Sequence, residues 1–498
     1  MDAVFTFIEE INSVINEFIW VKIGLVALLG TGLYLTVISG FFQVRHIGLW
    51  FKTTLGQILK RDSAAKNTKN AHRAISEFQS LCTALAATIG TGNIAGVSTA
   101  IVMGGPGAIF WMWVAAFFGM MTKFAEEVLG LYYRRKNSDG EWSGGAMYYL
   151  KDGLGKMKHG KKIGPILATA FAFFTMLAGF GIGNMSQVNK TVINIKEVFF
   201  RGVEDKMVFG ISLISLILGI ILMIFTAIII FGGLKRIASF AEKIVPFMAI
   251  FYIIGSCVLL IYHFDMIPAI FVSIFNLAFN AEAIGGGIAG ITVQEVIVQG
   301  LKRGAFSNEA GLGSSVMAHS SSNAKEPVVQ GMWGIFEVFF VTFVICTMSA
   351  LVVLSSGYID LNTGIAMPGV NDATLVSLAF ENVFGQFGSI FIAIATFLFA
   401  FTTLVGWSQY GTKATEYVFG KKGVFAYKII YIVVIVFGAV MTSSLAWDIS
   451  DTFNGLMMIP NLIGLIILSP KLMRIVKNYY ERHVQKKDVK AILSYQDE

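Results

Sequence analysis

The chain has 498 residues, of which 55% are hydrophobic and only 14% carry Asp, Glu, Lys or Arg. A soluble protein of this length cannot hide that much apolar surface, and repeated apolar runs of about 20 residues define a polytopic helical membrane protein. A transmembrane β-barrel would read as short strands of alternating polarity, and that pattern does not occur here.

Eleven spans follow in chain order, roughly 18–42, 76–103, 107–133, 164–186, 208–231, 240–262, 266–299, 328–354, 376–411, 426–444 and 446–468. The first run is too long for a cleavable signal, and its flank is acidic (Asp2, Glu9, Glu10, Glu17). Cys82, Cys257 and Cys346 lie inside apolar runs and read as small packing residues. Charge orients the chain. With the N-terminus outside, 32 of the 38 Lys and Arg fall in the inner segments 43–75, 134–164, 232–243, 300–327, 411–428 and 470–498. Only Lys190, Lys196, Arg201 and Lys206 are then outside, which is the positive-inside pattern. The expectation is a multi-pass cell-membrane protein with a cytoplasmic C-terminus. The net charge of +7 follows from that topology and implies no nucleic-acid partner. The stretch KLMRIVKNYYERHVQKKDVK (471–490) reads as a basic amphipathic helix on the inner membrane face, or as a solvated tail.

The ten spans after the first divide into two units of five. The parts are 1–75, an extra helix and basic linker; 76–262 and 263–468, the two units; and 469–498, the tail. Five is odd, so the second unit enters the membrane from the opposite side. The first span of each unit carries a related interruption, GTGNIAGVST (90–99) and GGGIAGITV (285–293). Inverted five-span repeats that open with a broken helix are the pattern of secondary transporters. The fold class expected is all-α, with one N-terminal helix added to a five-plus-five inverted repeat with discontinuous helices.

Unwinding a helix inside the bilayer exposes N–H and C=O groups, which cost several kcal/mol each if unpaired, on the order of 2–7. A small zwitterion and a cation can pair them. Free N–H groups at a half-helix start favour a carboxylate, free carbonyls favour an ammonium or Na⁺, and glycines admit close approach. The two interruptions therefore read as halves of one midplane site. Close helix packing is the alternative use of such glycines.

The stretch TIGTGNIAGVSTAIVMGGPGAIFWMWVAAFFG (88–119) resembles the signature of the alanine/glycine:cation symporters, the sodium:alanine symporter family, and RGAFSNEAGLGSSVMAHS (303–320) resembles that family's other long shared stretch. The resemblance covers the whole chain. It implies the leucine-transporter fold and uptake of alanine or glycine coupled to Na⁺ or, alternatively, H⁺. It implies no resident cofactor, with Na⁺ as coupling ion, and one chain suffices for the pathway. The first interruption is similar to the unwound first core helix of the leucine transporter. On that match the amides of Thr91 and Gly92, with Ile89 and Gly90, hold the substrate carboxylate. The carbonyls of Ala86 and Ile89 face a sodium ion, to which Thr402 and Thr403 of AFTTLVGW add hydroxyls. Asn93 matches a position that joins a second sodium in that fold. Asn276, Asn280 and the backbone of Gly285, Gly286 and Gly287 are candidates for the ammonium and pocket wall, with Phe279 and Trp407 setting its size.

Other polar residues read as supports. Lys123 and Glu127 are spaced to pair (i, i+4) near the inner end of their span, and snorkelling or bracing is expected of them and Glu126. Gln79 is placed in an inner vestibule. Glu282 and Glu295 flank the second interruption, as cation or proton groups or as hydrogen-bonding ones. Glu309 is read in an exposed inner loop with Ser314, Ser315 and His319. Serines near a histidine in sequence are weak grounds for a hydrolase, and the chain has no HExxH, Walker A or Cys/His cluster. An ion channel is the other alternative, but polar residues cluster at two points rather than along a pore.

Overall fold

The computed structural model describes residues 2–56, 74–138, 140–157, 160–208, 210–280, 291–370, 372, 374–441 and 443–497. Helix α1 (Asp2–Glu17) passes through a π turn into α2 (Leu25–Ile38). The interrupted helix follows as α3 (Glu77–Thr88) and α4 (Ala95–Gly104), then α5 (Gly107–Tyr132). Helix α6 (Gly160–Phe180) continues through a π turn into α7 (Ser186–Phe199). Next are α8 (Leu213–Ile230), α9 (Gly233–Tyr262), α10 (Ile267–Leu277), α11 (Val293–Asn308) and the single turn α12 (Val316–His319). Helix α13 (Pro327–Val338) runs by a π segment into α14 (Thr347–Leu354). The chain closes with α15 (Leu375–Phe384), α16 (Gln386–Val440) and α17 (Ser443–His483).

Among the described residues, eight helical stretches are long and apolar enough to cross a bilayer. Helix α16 has 55 residues; straight, it would span about 80 Å, well over twice a hydrocarbon core. Gly420, at φ 67° and ψ −171°, folds it into two arms. That conformation is open to glycine and strained for other residues. The outward face of α8 (Ile217, Ile220, Ile221, Ile224, Phe225, Ile228) stays exposed, as a lipid-facing helix requires.

Helix starts follow local chemistry. Ser76 and Gln79 form a reciprocal capping box at α3, and Thr292 and Glu295 form one at α11. Glu295 is thereby a cap on an exposed helix end. Gln79 also donates to Glu242 at 2.9 Å. Helix α3 packs on α16 where Gly406 has no room for a side chain: a Cβ there would lie 2.7 Å from the Ala87 nitrogen.

Several expectations change. Of the predicted span 266–299, α10 and α11 are described on either side, and the predicted GGGIAG break (285–290) lies outside the described residues, with Gly285, Gly286, Gly287 and Glu282. The segment 300–327 is not an exposed loop. Residues 300–322 are buried throughout, as the end of α11, an unwound stretch and α12. That stretch holds three left-handed residues, Glu309 (φ 57°), Gly311 (φ 92°) and Gly313 (φ 69°), so the helix is broken here. Polar residues that face each other in the interior have the composition of a loop, which is why the segment reads as one. The 471–490 tail is no separate surface helix either. Helix α17 extends to His483, burying Leu472, Ile475, Val476 and Tyr479. The chain then folds back, with the Ile492 amide donating to Asn478 at 3.0 Å.

Candidate functional site

Helix α3 ends at Thr88 because Ile89 (φ −86°, ψ 89°) and Gly90 (φ −127°, ψ −163°) are extended. A 3₁₀ turn over Thr91–Asn93 leads into α4. Asn93 staples the gap, its Nδ2 donating to the Thr88 carbonyl at 2.8 Å. The Cys346 thiol lies 3.1 Å from Asn93 Oδ1, and Ser349 donates to the Asn93 carbonyl at 2.6 Å. Asn93 thus braces the break from within.

Helix α16 crosses this break. Thr403 Oγ1 lies 3.1 Å from the Ala86 carbonyl, 3.4 Å from that of Ile89 and 3.0 Å from that of Phe399. Thr402 Oγ1 lies 2.9 Å from the same Phe399 oxygen. All of these residues are buried. A hydroxyl has one hydrogen, so Thr403 can satisfy only one of three carbonyls. The oxygens of Ala86, Ile89, Phe399, Thr402 and Thr403 form an acceptor-rich nest suited to a small hard cation. Of the expected set, Ala86, Ile89 and Thr403 are brought together; Thr402 reaches them only through the shared Phe399 carbonyl and otherwise faces the Leu398 carbonyl at 3.0 Å and Met248 Sδ at 3.4 Å.

On the other side of the break, the Thr91 amide and hydroxyl both donate to Gln187 Oε1, at 2.8 and 2.9 Å. Gln187 Nε2 donates to the Ile182 carbonyl at 2.9 Å. A side-chain oxygen therefore occupies the place expected for a carboxylate oxygen. Gln187 was missed because the predicted span stops at 186, where apolar character falls; the helix continues to Phe199. Gly92 faces Phe306 of α11, and a Cβ there would lie 2.8 Å from the ring. Ser307 donates to the Gly92 carbonyl at 3.2 Å. The Phe306 ring is 4.6 Å from that of Trp447. These contacts make the end of α11 the partner of the first break.

The remaining expected pocket residues lie elsewhere. Asn276, Phe279 and Asn280 are exposed at and beyond the end of α10, and Phe279 packs on Phe110 and Trp111. Helix α10 buries one face, Ile270, Ser273, Ile274 and Leu277, and Asn276 lies off it. Trp407 is fully buried, but its indole N–H donates to Glu309 at 2.8 Å and its ring abuts Gly183.

Beneath the two breaks lies a buried ionic layer. Lys123 pairs with Glu337 at 3.2 Å, not with Glu127, and does not snorkel. Its ammonium also donates to the Asn308 carbonyl at 3.2 Å. Thr88 donates to Glu337 at 2.7 Å, joining this layer to the first break. At one end Arg134 donates to the carbonyls of Ser320, Ser322 and Ala324 at 3.2, 2.6 and 2.5 Å, which caps α12. At the opposite end Asp451 of α17 binds Lys302 at 2.7 Å and Arg303 at 3.3 Å. The site is enclosed between these two charged layers.

The sequence profile of the sodium:alanine symporter family matches residues 5–492. A sodium/alanine symporter, AgcS, of Methanococcus maripaludis is 44% identical over 465 residues, covering 93% of this chain and 95% of that one. An uncharacterized transporter of Haemophilus influenzae is 40% identical over 477 residues, 95% of this chain and 97% of that one. A probable sodium/glutamine symporter, GlnT, of Bacillus subtilis is 34% identical over 491 residues, 98% of this chain and 94% of that one. In fold the chain is similar to MhsT, solved in complex with L-phenylalanine, with a TM-score of 0.54 at 13% identity, covering 81% of this chain and 98% of that one. The long apolar helices and these relatives define a multi-pass membrane protein of the secondary-transporter class, not an enzyme. The chain belongs to the sodium:alanine symporter family.

Proposed function

We propose that this protein is a Na⁺-coupled symporter of small neutral amino acids, alanine or glycine, working by alternating access. The observation that carries the reading is the crowd of oxygens around Thr403, from Ala86, Ile89, Phe399 and Thr402, beside the Thr91 amide. Sodium in the oxygen nest ties α16 to the broken helix. The substrate carboxylate takes the Thr91 amide from Gln187, and Gln187 then turns to the substrate. Phe306 and Trp447 close over a small side chain and leave little space for a larger one. In this reading α11 and α12 form the seventh of eleven crossings, the second repeat begins at Val293, and the N-terminus lies outside. Arg134 is then at the inner face and Asp451 at the outer one.

The test is uptake of labelled alanine into proteoliposomes under an inward Na⁺ gradient, with K⁺ substituted as control, for the wild type and the T402A/T403A pair. Accumulation that needs Na⁺ and disappears in the double variant is the expected result. Equal uptake in K⁺ overturns Na⁺ coupling, and Na⁺-driven uptake that survives in the variant overturns the ion site.

A further inference from the structure

The buried layer beneath the breaks holds more negative charge than its surroundings balance. Four carboxylates (Glu126, Glu127, Glu309, Glu337) face one lysine, Lys123, and one histidine, His319, and every one of these side chains is at most 1% exposed. Fully ionised carboxylates with a neutral imidazole leave three excess negative charges in the interior, a cost that each bound proton lowers.

Hydrogen bonds show where that charge belongs. Glu337 is saturated by Lys123, Thr88 and His319, the last at 3.1 Å. Glu309 accepts from Ser314 at 2.5 Å and Trp407 at 2.8 Å, one on each oxygen. Both are held as acceptors. Glu127 differs: Ser315 donates to Oε1 at 2.6 Å, and the buried Oε2 has no partner among the described residues. Glu126 also has a bare Oε2, but its Oε1 takes both the Gly313 amide and Asn461, at 3.0 and 2.6 Å. One ligand atom each of Glu127, His319 and Glu337 lies within 4.8 Å of the other two. The Tyr410 hydroxyl, fully buried and without a partner among the described residues, sits in the field of Glu127, Glu309 and Glu337. On the far side of the ring, His319 Nδ1 meets Gln330, which is itself bonded to Ser322. Rotating the Gln330 carboxamide changes that contact from donor to acceptor, so the ring can be held neutral or as imidazolium. A divalent metal fits these three atoms poorly, because the Lys123 ammonium already lies against Glu337 and His319 is engaged with the same carboxylate.

We infer that Glu127, His319 and Glu337 form a proton-binding site that holds one exchangeable proton, shared between Glu127 and the His319–Glu337 pair and released when the helices around it part. The charged and titratable groups facing it are Lys123 and Glu126 on α5, Glu309 on the unwound stretch, Tyr149 and, on α16, Tyr410. Because Glu337 holds Thr88 at the first break and Lys123 holds the Asn308 carbonyl at the second, separating the two broken helices admits water to this layer, which favours the ionised carboxylate and takes up the proton.

Two measurements on the full-length protein test this. Infrared spectroscopy in detergent reports the C=O stretch of a protonated, buried carboxyl. The band is expected in the wild type and expected to lose intensity in E127Q. A spectrum without the band, or unchanged by E127Q, overturns the inference. Calorimetry of alanine binding in saturating Na⁺ is then repeated in buffers of different ionisation enthalpy. A heat that varies with buffer, by about one proton per alanine bound, is expected in the wild type, and a heat independent of buffer overturns the linkage. The link to transport rests on the symporter reading. If alanine gives no heat in any buffer, that reading fails, and the infrared band still decides the proton site.

Discussion

Replacing Gly90 by alanine separates the oxygen nest from the rest of the fold. Gly90 has negative φ, so alanine meets no backbone strain there. A Cβ would lie 2.6 Å from Thr403 Oγ1 and 2.8 Å from Gln187 Oε1, against 3.4 Å for ordinary contact. Each side chain must retreat by about 0.6–0.8 Å in a close-packed interior. An ion of this size holds oxygens within a range of only about 0.3 Å, so Thr403 leaves the coordination set. Overpacking costs about 1–3 kcal/mol, which corresponds to a loss of about 5- to 150-fold in apparent Na⁺ affinity. Gly96→Ala is the control, because its Cβ would meet nothing nearer than 3.8 Å, on Trp447. The assay is alanine uptake against Na⁺ concentration, with thermal unfolding in detergent to confirm folding. A folded G90A protein with the Na⁺ dependence of G96A and wild type would refute the reasoning.

Other outcomes follow from named contacts. Lys123→Met leaves Glu337 buried without its cation and should cost about 3–5 kcal/mol, read as a fall in thermal stability, with K123M/E337Q recovering most of it. Arg134→Ala strips charged donors, each worth about 1.5–3 kcal/mol, from three carbonyls near α12; in a C257S background Cys82, buried in α3, should react faster with a small maleimide. Gln187→Ala removes the acceptor on the Thr91 amide without touching Thr403, so it should raise the alanine concentration for half-maximal uptake about tenfold or more with the Na⁺ dependence changed less. A parallel rise in both would show that Gln187 serves the whole break.

The first break was legible because its physics is local. Glycines and an asparagine inside an apolar run have few uses, and Thr402 and Thr403 stand together at matching depth. The second was not legible from polarity. RGAFSNEAGLGSSVMAHS offers the Asn308 carbonyl, the Gly313 amide and the Ser315 hydroxyl to Lys123, Glu126 and Glu127 of another helix. Only tertiary contacts distinguish such a segment from a loop. GGGIAG offered a better textual match to GNIAG, and that drew Asn276, Phe279 and Asn280 into the expected pocket. The pairing of Lys123 failed for a related reason: helical spacing nominates Glu127, but a carboxylate on another helix lay closer.

The contact of Gly406 with Ala87 has a mechanical consequence. Backbone meets backbone there with no side chain between, so α16 and α3 are closest at that point and it behaves as a fulcrum. Thr403 lies three residues away, about 4.5 Å along the helix, and Phe419 thirteen residues away in the other direction, about 20 Å. A tilt of about 10° about the fulcrum moves Thr403 by about 0.8 Å and the far end by about 3.4 Å, the width of a water molecule or more. The short arm carries the ion's ligands and the long arm reaches toward the bend at Gly420. An ion that fixes the short arm therefore holds a distant part of the helix still, with no need to touch it.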